Sequence, residues 1–349
     1  MPPSRRLISS SWVLTFVTIV LILSFYFRDQ YLTITKDRTL QILEPNPLRS
    51  LSPQGITKAT IAYEPSNSIL NRSLILHEQQ NERFSYKMHV LRSSIVRGYA
   101  NTLLWVQHVI VGEMIKDQGV EWILFFTPTV VVSNPNIPLQ TFLPPLMSSD
   151  WEMFKTLTFI GTKPNDIDMS SDLLWIRVCA SSLRMLNLAM TTVNMEPGRD
   201  WGEDIVASSL QYVLQMDEYR DKVVWHPKGW YNGTGAVFQQ PWGSGVRNLL
   251  AMEETMRKQA LGRETREVYP NAEEAERYWD TILEAKRVLS VAKDRGHTSE
   301  EGEFAQGVKI LKGCVELRSW DISSMRWSME QLKGQLGIGE IIGYEIGIG

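Results

Sequence analysis

The spacing of apolar residues changes character several times along this 349-residue chain. Residues 7–27 (LISSSWVLTFVTIVLILSFYF) carry no charge, and as a helix rising about 1.5 Å per residue they reach roughly 30 Å, the thickness of a bilayer's hydrocarbon layer. This run predicts a membrane-spanning signal anchor. A cleaved signal peptide is the competing reading, but bulky Phe25, Tyr26 and Phe27 stand where processing needs small residues. Residues 28–54 are polar and include Pro45, Pro47 and Pro53, as suits a stem. Short β-prone runs then alternate with helical ones. Residues 57–63 (TKATIAY) predict a strand, 67–82 a helix, 86–91 a strand and 103–116 a helix. Residues 120–133 (VEWILFFTPTVVVS) form an apolar, β-branched stretch broken at Pro128, which predicts a buried strand ending in a turn.

Downstream, residues 173–178 (LLWIRV) and 222–225 (KVVW) read as strands with a helix over 204–216 between them. Residues 270–293 read as a helix opened by an Asn271/Glu274 cap. The last stretch, 294–349, is polar over 297–307 and alternates Gly with Ile and Glu over 334–349, predicting a divergent, flexible tail. No internal repeat is visible. Strand–helix alternation implies an α/β domain with a mainly parallel sheet covered on both faces, which meets ligands at the carboxyl ends of its strands. Thr127, Pro128 and Thr129 fall at such an end.

Composition narrows the picture. With 43% hydrophobic residues, 21% charged residues and a formal net charge of −3, the chain has folded-protein composition and no basic excess for nucleic acid. Cys179 and Cys314 allow at most one disulfide, and five histidines without paired spacing leave little for a structural zinc site. Arg5 and Arg6 precede the apolar run while Arg28 is followed by Asp29, so the positive-inside bias puts residues 1–6 in the cytosol and everything after Asp29 in a lumen. Sequons at Asn71 and Asn232 agree with lumenal exposure and make both N-glycosylation candidates.

Several motifs carry a family resemblance. SLILHEQQNERFSYKMHVLRSSIV over 73–96, then Trp122, Asn134-Pro-Asn-Ile-Pro138 and Phe142-Leu-Pro-Pro145, resemble in order and spacing the fungal glycosyltransferase family 34, Golgi galactosyl- and mannosyltransferases. A weaker likeness continues through Arg177, His226-Pro-Lys-Gly-Trp-Tyr-Asn232 and Val246-Arg-Asn248 to Trp279. The resemblance implies a GT-A fold, a Rossmann-like α/β sandwich over residues 55–293, on a single-pass type II Golgi anchor. It also implies hexosyl transfer from a nucleotide sugar to a glycan acceptor with retention, and a possible Golgi glycosyltransferase complex as partner.

Where the family places an Asp-x-Asp that holds manganese against the leaving diphosphate, this chain has Thr127-Pro128-Thr129. Neutral hydroxyls are poor ligands for a hard cation, so no metal is expected at Thr127 and Thr129. Other departures are Thr102 for a family lysine, Ser170-Ser-Asp172 for an Asn-x-Gly signature, Asp204-Ile205 for an acidic-Gln pair, and the absence of a His-Phe-Ala-Gly segment around 239–245. Activity is accordingly expected to be weakened or lost. The alternatives are a metal-independent transferase and a non-catalytic, glycan-binding Golgi partner.

Candidates for a remaining donor site are Thr127, Thr129 and Lys228, with Arg199 and Arg247 as further cations; surface solvation is the default for such cations. Asp172, Asp204 and Trp230 are acceptor-side candidates, although a helix N-terminal turn explains Glu203 and Asp204 equally well, and core packing is the default for Trp225, Trp230 and Trp242. Asp166, Asp168 and Asp172 read first as a solvated loop, and His77, His89 and His226 as structural histidines.

Overall fold

The computed structural model describes residues 55–63, 67–116, 119–145, 154–164, 167–232, 236–239, 246–260, 270–294, 303–317 and 322–337. The expected anchor at 7–27 and stem at 28–54 lie outside these residues. Among the described residues, no helix is long and apolar enough to cross a membrane.

Strands β1 (Gly55–Ile61), β2 (Lys87–Leu91), β3 (Val120–Phe126), β5 (Phe159–Thr162), β6 (Leu173–Arg177) and β7 (Val223–His226) form one sheet, in the order β2-β1-β3-β6-β5-β7. A separate antiparallel pair joins β4 (Val131–Val132) to β8 (Phe238–Gln239). The β1–β2, β1–β3 and β5–β7 pairings are parallel, whereas β6 runs antiparallel to both its neighbours. The expected sheet is therefore present but mixed: one reversed strand sits at its centre. In consequence the carboxyl ends of β1, β2, β3, β5 and β7 share one edge with the amino end of β6.

The apolar run of β3 explains why it lies inside. Trp122, Leu124 and Phe126 enter one core, and Ile123 and Phe125 enter the other, the period-2 alternation of a strand buried on both faces. The first core is closed by α1 (Ser68–Phe84), α6 (Ala272–Asp294), α7 (Glu303–Lys312) and α8 (Ile322–Leu336), through Leu74, Ile282, Leu311 and Met329 among others. The second is closed by α2 (Ala100–Lys116), α3 (Ala180–Met195) and α4 (Ile205–Leu214), through Val106, Met185 and Leu210. A further helix, α5 (Val246–Ala260), sets Met252 and Met256 against Val131.

Local chemistry fixes the helix ends. Asn67 accepts from the Ile69 N–H at 2.8 Å to open α1, and Asn271 accepts from the Glu274 N–H at 2.8 Å to open α6, the cap expected from its sequence. The tail expectation needs correction. Residues 303–312 are a helix continued by a π-helical segment, Gly313–Leu317, residues 322–336 are a second helix, and Leu311, Cys314, Val315, Met325, Met329 and Leu332 are buried. Burial of one apolar stripe on each helix outweighs the helix-weakening glycines at 307 and 334. Residues 338–349 lie outside the described residues.

Candidate functional site

The sheet edge at which parallel strands end carries a cavity of about 440 Å³, within the roughly 300–1,000 Å³ range of small-molecule sites. Ile61 and Tyr63 reach it from the end of β1, and Phe125 and Thr127 from the end of β3. The connection between β2 and α2 supplies Ser94, Arg97 and Gly98, and the first turn of α2 supplies Asn101 and Thr102. Ligands are expected at such a position because the strand-to-helix connections open there.

Asn101 holds this wall together. It is 4% exposed. Its carbonyl oxygen accepts from the Ile95 and Val96 N–H groups at 2.8 and 3.2 Å and from the Ser94 hydroxyl at 3.3 Å, and its amide donates to the Tyr63 hydroxyl at 2.6 Å. One side chain thus ties the 94–96 loop to the end of β1. Gly98 turns the chain into α2 with φ +78°, a left-handed value that disfavours any residue with a Cβ. Its carbonyl accepts from the Asn101 N–H.

At the end of β3 the Thr127 and Thr129 hydroxyls are 2.6 Å apart, and the Thr127 hydroxyl donates to Asp172 Oδ1 at 2.9 Å. Since Thr127 spends its proton on the carboxylate, Thr129 must donate to Thr127. The Thr127 N–H also donates to the Asp172 carbonyl at 2.8 Å, and Ser170 donates to Asp172 Oδ2 at 3.3 Å. The structure thus brings together the donor-side candidates Thr127 and Thr129 and the acceptor-side candidate Asp172, which the sequence places in separate groups: one carboxylate, from the start of β6, stands beside the hydroxyl pair.

This donor set does not fit a manganese ion. Hard divalent cations take about six oxygen ligands and favour carboxylates. Here a single carboxylate is engaged on both oxygens, and the threonine protons point along the chain towards it. Among the described residues, no group of three or more His, Cys, Asp or Glu side chains converges. Asp166 and the Trp242 ring lie outside the described residues.

Other candidates separate from the cavity. Asp204 caps α4, accepting from the Ala207 N–H at 2.9 Å, and its second oxygen accepts from the Ser171 hydroxyl at 2.7 Å; it is linked to Asp172 through adjacent residues. Lys228 is exposed and follows β7, three strand spacings from β3 in the sheet order, about 14 Å sideways. Trp230 is corrected outright as a sugar platform. It is 1% exposed, its indole N–H donates to Glu274 at 3.0 Å, and its ring packs among Phe142, His226 and Tyr278. Trp225 is likewise buried. Arg199 stacks on Trp201 and Tyr212, at 4.8 and 4.4 Å from the ring centroids, and pairs with Glu196.

His77, His89 and His226 sit in packing and hydrogen-bonding roles away from the cavity lining. His77 Nε2 lies 2.9 Å from the Val130 carbonyl, so this nitrogen carries the proton, and the ring stacks on Phe126 at 3.7 Å. Burial, and then neighbouring Lys58, hold its pKa well below the ordinary value. Burial pushes His226 down to about 3, and its Nδ1 meets the Tyr231 hydroxyl. His89 bonds Glu113 at 2.9 Å. Lys58, fully buried, bonds Gln80 at 2.8 Å, and burial lowers its pKa well below that of a solvated lysine. Of the sequons, Asn71 is exposed on α1, but Ser73 is buried and donates to the Val130 carbonyl at 2.8 Å; the Asn232 side chain lies outside the described residues.

Tyr63, Ser94, Arg97 and Asn101 were not among the residues singled out from the sequence. The available signal was positional: residues 92–99 follow a parallel strand and precede a helix, and such connections form ligand walls.

No family model and no curated protein matches the chain. Solved structures similar to it include a glycosyltransferase involved in the glycosylation of the major capsid of PBCV-1, 13% identical with TM-score 0.45, over 57% of this chain and 99% of that one. A Drosophila β-1,4-galactosyltransferase 7 mutant in complex with manganese, UDP-Gal and xylobiose is also similar, 13% identical with TM-score 0.30, over 63% of this chain and 79% of that one.

Proposed function

We propose that this chain is a divergent hexosyltransferase-type protein of the GT-A kind, which binds a nucleotide sugar in the cavity at the ends of β1, β2 and β3. In this reading its galactosyl or mannosyl transfer is weakened or lost, because the cation-holding carboxylate pair is replaced by hydroxyls. The observation that carries the reading is the coincidence of two features. Thr127, one of the two residues that stand where the resembling family carries its metal motif, lines the cavity, and Thr127 and Thr129 are closed on Asp172 through 2.6 and 2.9 Å hydrogen bonds.

The chemistry follows from charge. A departing nucleoside diphosphate concentrates negative charge, and transferases gain much of their rate by neutralising it. One hydrogen-bonded carboxylate offers no such neutralisation and adds repulsion. Binding without turnover, as in a glycan-binding Golgi partner, is favoured by the same geometry. The motif resemblance and the apolar run 7–27 support a type II Golgi location with residues 55–349 lumenal.

Incubating the full-length chain with labelled UDP-galactose or GDP-mannose and a glycan acceptor, with and without manganese, tests this reading. No manganese-stimulated transfer is expected. Clear metal-dependent turnover defeats the claim of impaired chemistry.

A further inference from the structure

The cations first considered for a metal-free donor site are placed elsewhere by the structure. Arg199 is committed to two aromatic rings and Glu196. Lys228 stands beyond β6 and β5 from the cavity, and the Arg247 side chain lies outside the described residues. Arg97, in contrast, lines the cavity and is the charged residue of its described wall.

We propose that Arg97 is the counter-cation for the diphosphate of a nucleoside diphosphate ligand, allowing that ligand to bind here without a divalent metal. This rests on the nucleotide-sugar reading above. Three observations carry it. The wall bearing Arg97 is organised before any ligand arrives, because Asn101 fastens residues 94–96 to Tyr63 and Gly98 completes the turn into α2. Thr127, which lines the cavity from the end of β3, already spends its hydroxyl proton on Asp172 and accepts from Thr129, so phosphate oxygens find their charged donor in Arg97. Ile61 and Phe125 give the cavity an apolar component, and Tyr63, 45% exposed, offers an aromatic surface suited to a nucleobase.

A guanidinium suits the task. It stays charged at all relevant pH and presents paired N–H donors to two phosphate oxygens at once. It supplies binding charge from the protein itself, where the resembling family draws on an ion.

Calorimetric titration of the full-length chain with UDP and with GDP, first in EDTA and then in manganese, tests the proposal on the wild type, Arg97→Gln and Arg97→Lys. At least one nucleotide is expected to bind in EDTA, with affinity little altered by manganese. Arg97→Gln weakens it about tenfold to a hundredfold, the range set by losing charge-assisted hydrogen bonds, and Arg97→Lys retains part of the affinity. Arg97 is exposed, and unchanged melting of the variants confirms that the fold is retained. Binding that appears only with manganese, or an Arg97→Gln variant that binds as tightly as wild type in EDTA, overturns the proposal and leaves the nucleotide-sugar reading standing. Absence of binding by both nucleotides in both conditions removes that reading and the proposal with it.

Discussion

The Thr127 hydroxyl donates to the Asp172 carboxylate across 2.9 Å, joining the end of β3 to the start of the antiparallel strand β6. The same two residues also pair through the Thr127 N–H and the Asp172 carbonyl at 2.8 Å. Thr127 and Asp172 thereby form a structural clasp beside the cavity.

Thr127→Val keeps shape and removes the proton donor, leaving Asp172 with one fewer partner and Thr129 without its acceptor. A loss of about 1–2 kcal/mol in unfolding free energy is expected, read from urea denaturation midpoints. The double variant Thr127→Asp/Thr129→Asp instead gathers three carboxylates. It is expected to gain manganese affinity detectable by calorimetry and to melt at a higher temperature with manganese than without, because mutual repulsion is relieved only by a cation.

Asn101→Ala removes several hydrogen bonds from a buried amide and leaves the Ile95 and Val96 N–H groups short of an acceptor. A cost of about 2–3 kcal/mol is expected. Hydrogen exchange should quicken in residues 94–98 more than in the β3 core, which distinguishes a loosened wall from global unfolding.

Acid sensitivity follows from the buried histidines. His226, pushed down to about 3, and His77, also lowered, remain neutral in the folded protein but protonate near pH 6.5 once unfolded. The unfolded state therefore binds more protons across that window. The contribution of these two histidines is complete above about pH 6.5 and is lost as pH drops towards 3, by up to about 1.4 kcal/mol per pH unit per histidine. Chemical denaturation at pH 7.5 and 5 checks the sign, and His226→Gln should flatten the slope.

Trp230→Ala is expected to cost about 3–5 kcal/mol through an unfilled core volume, while leaving nucleotide affinity of the folded fraction unchanged. A selective loss of ligand binding at constant stability would restore Trp230 as a binding surface.

Period-2 and helical spacing made most of the α/β core legible: the runs at 57–63, 86–91, 120–133, 173–178 and 222–225 all contain strands. The reversed direction of β6 was not legible, because an apolar run buried on both faces carries no direction. Short β5, helix α3 and the packed helices of 303–312 and 322–336 were missed because tertiary burial, not local propensity, decides them. At the site, Thr127, Thr129 and Asp172 could be named because they stand at motif positions. Arg97 and Asn101 could not, since a charge in a loop and an amide in a helix's first turn look solvated until the fold sets one on the cavity and the other against Tyr63. Trp230 erred the other way: aromatic chemistry suits both sugars and cores, and only burial decides.

Paramagnetic-resonance titration of manganese into the full-length chain, at saturating UDP, tests the central claim most directly. Free manganese signal should be lost no faster than with UDP alone, showing no ion held at Thr127, Thr129 and Asp172. Stoichiometric manganese capture that requires the protein and disappears in Asp172→Asn would contradict the account.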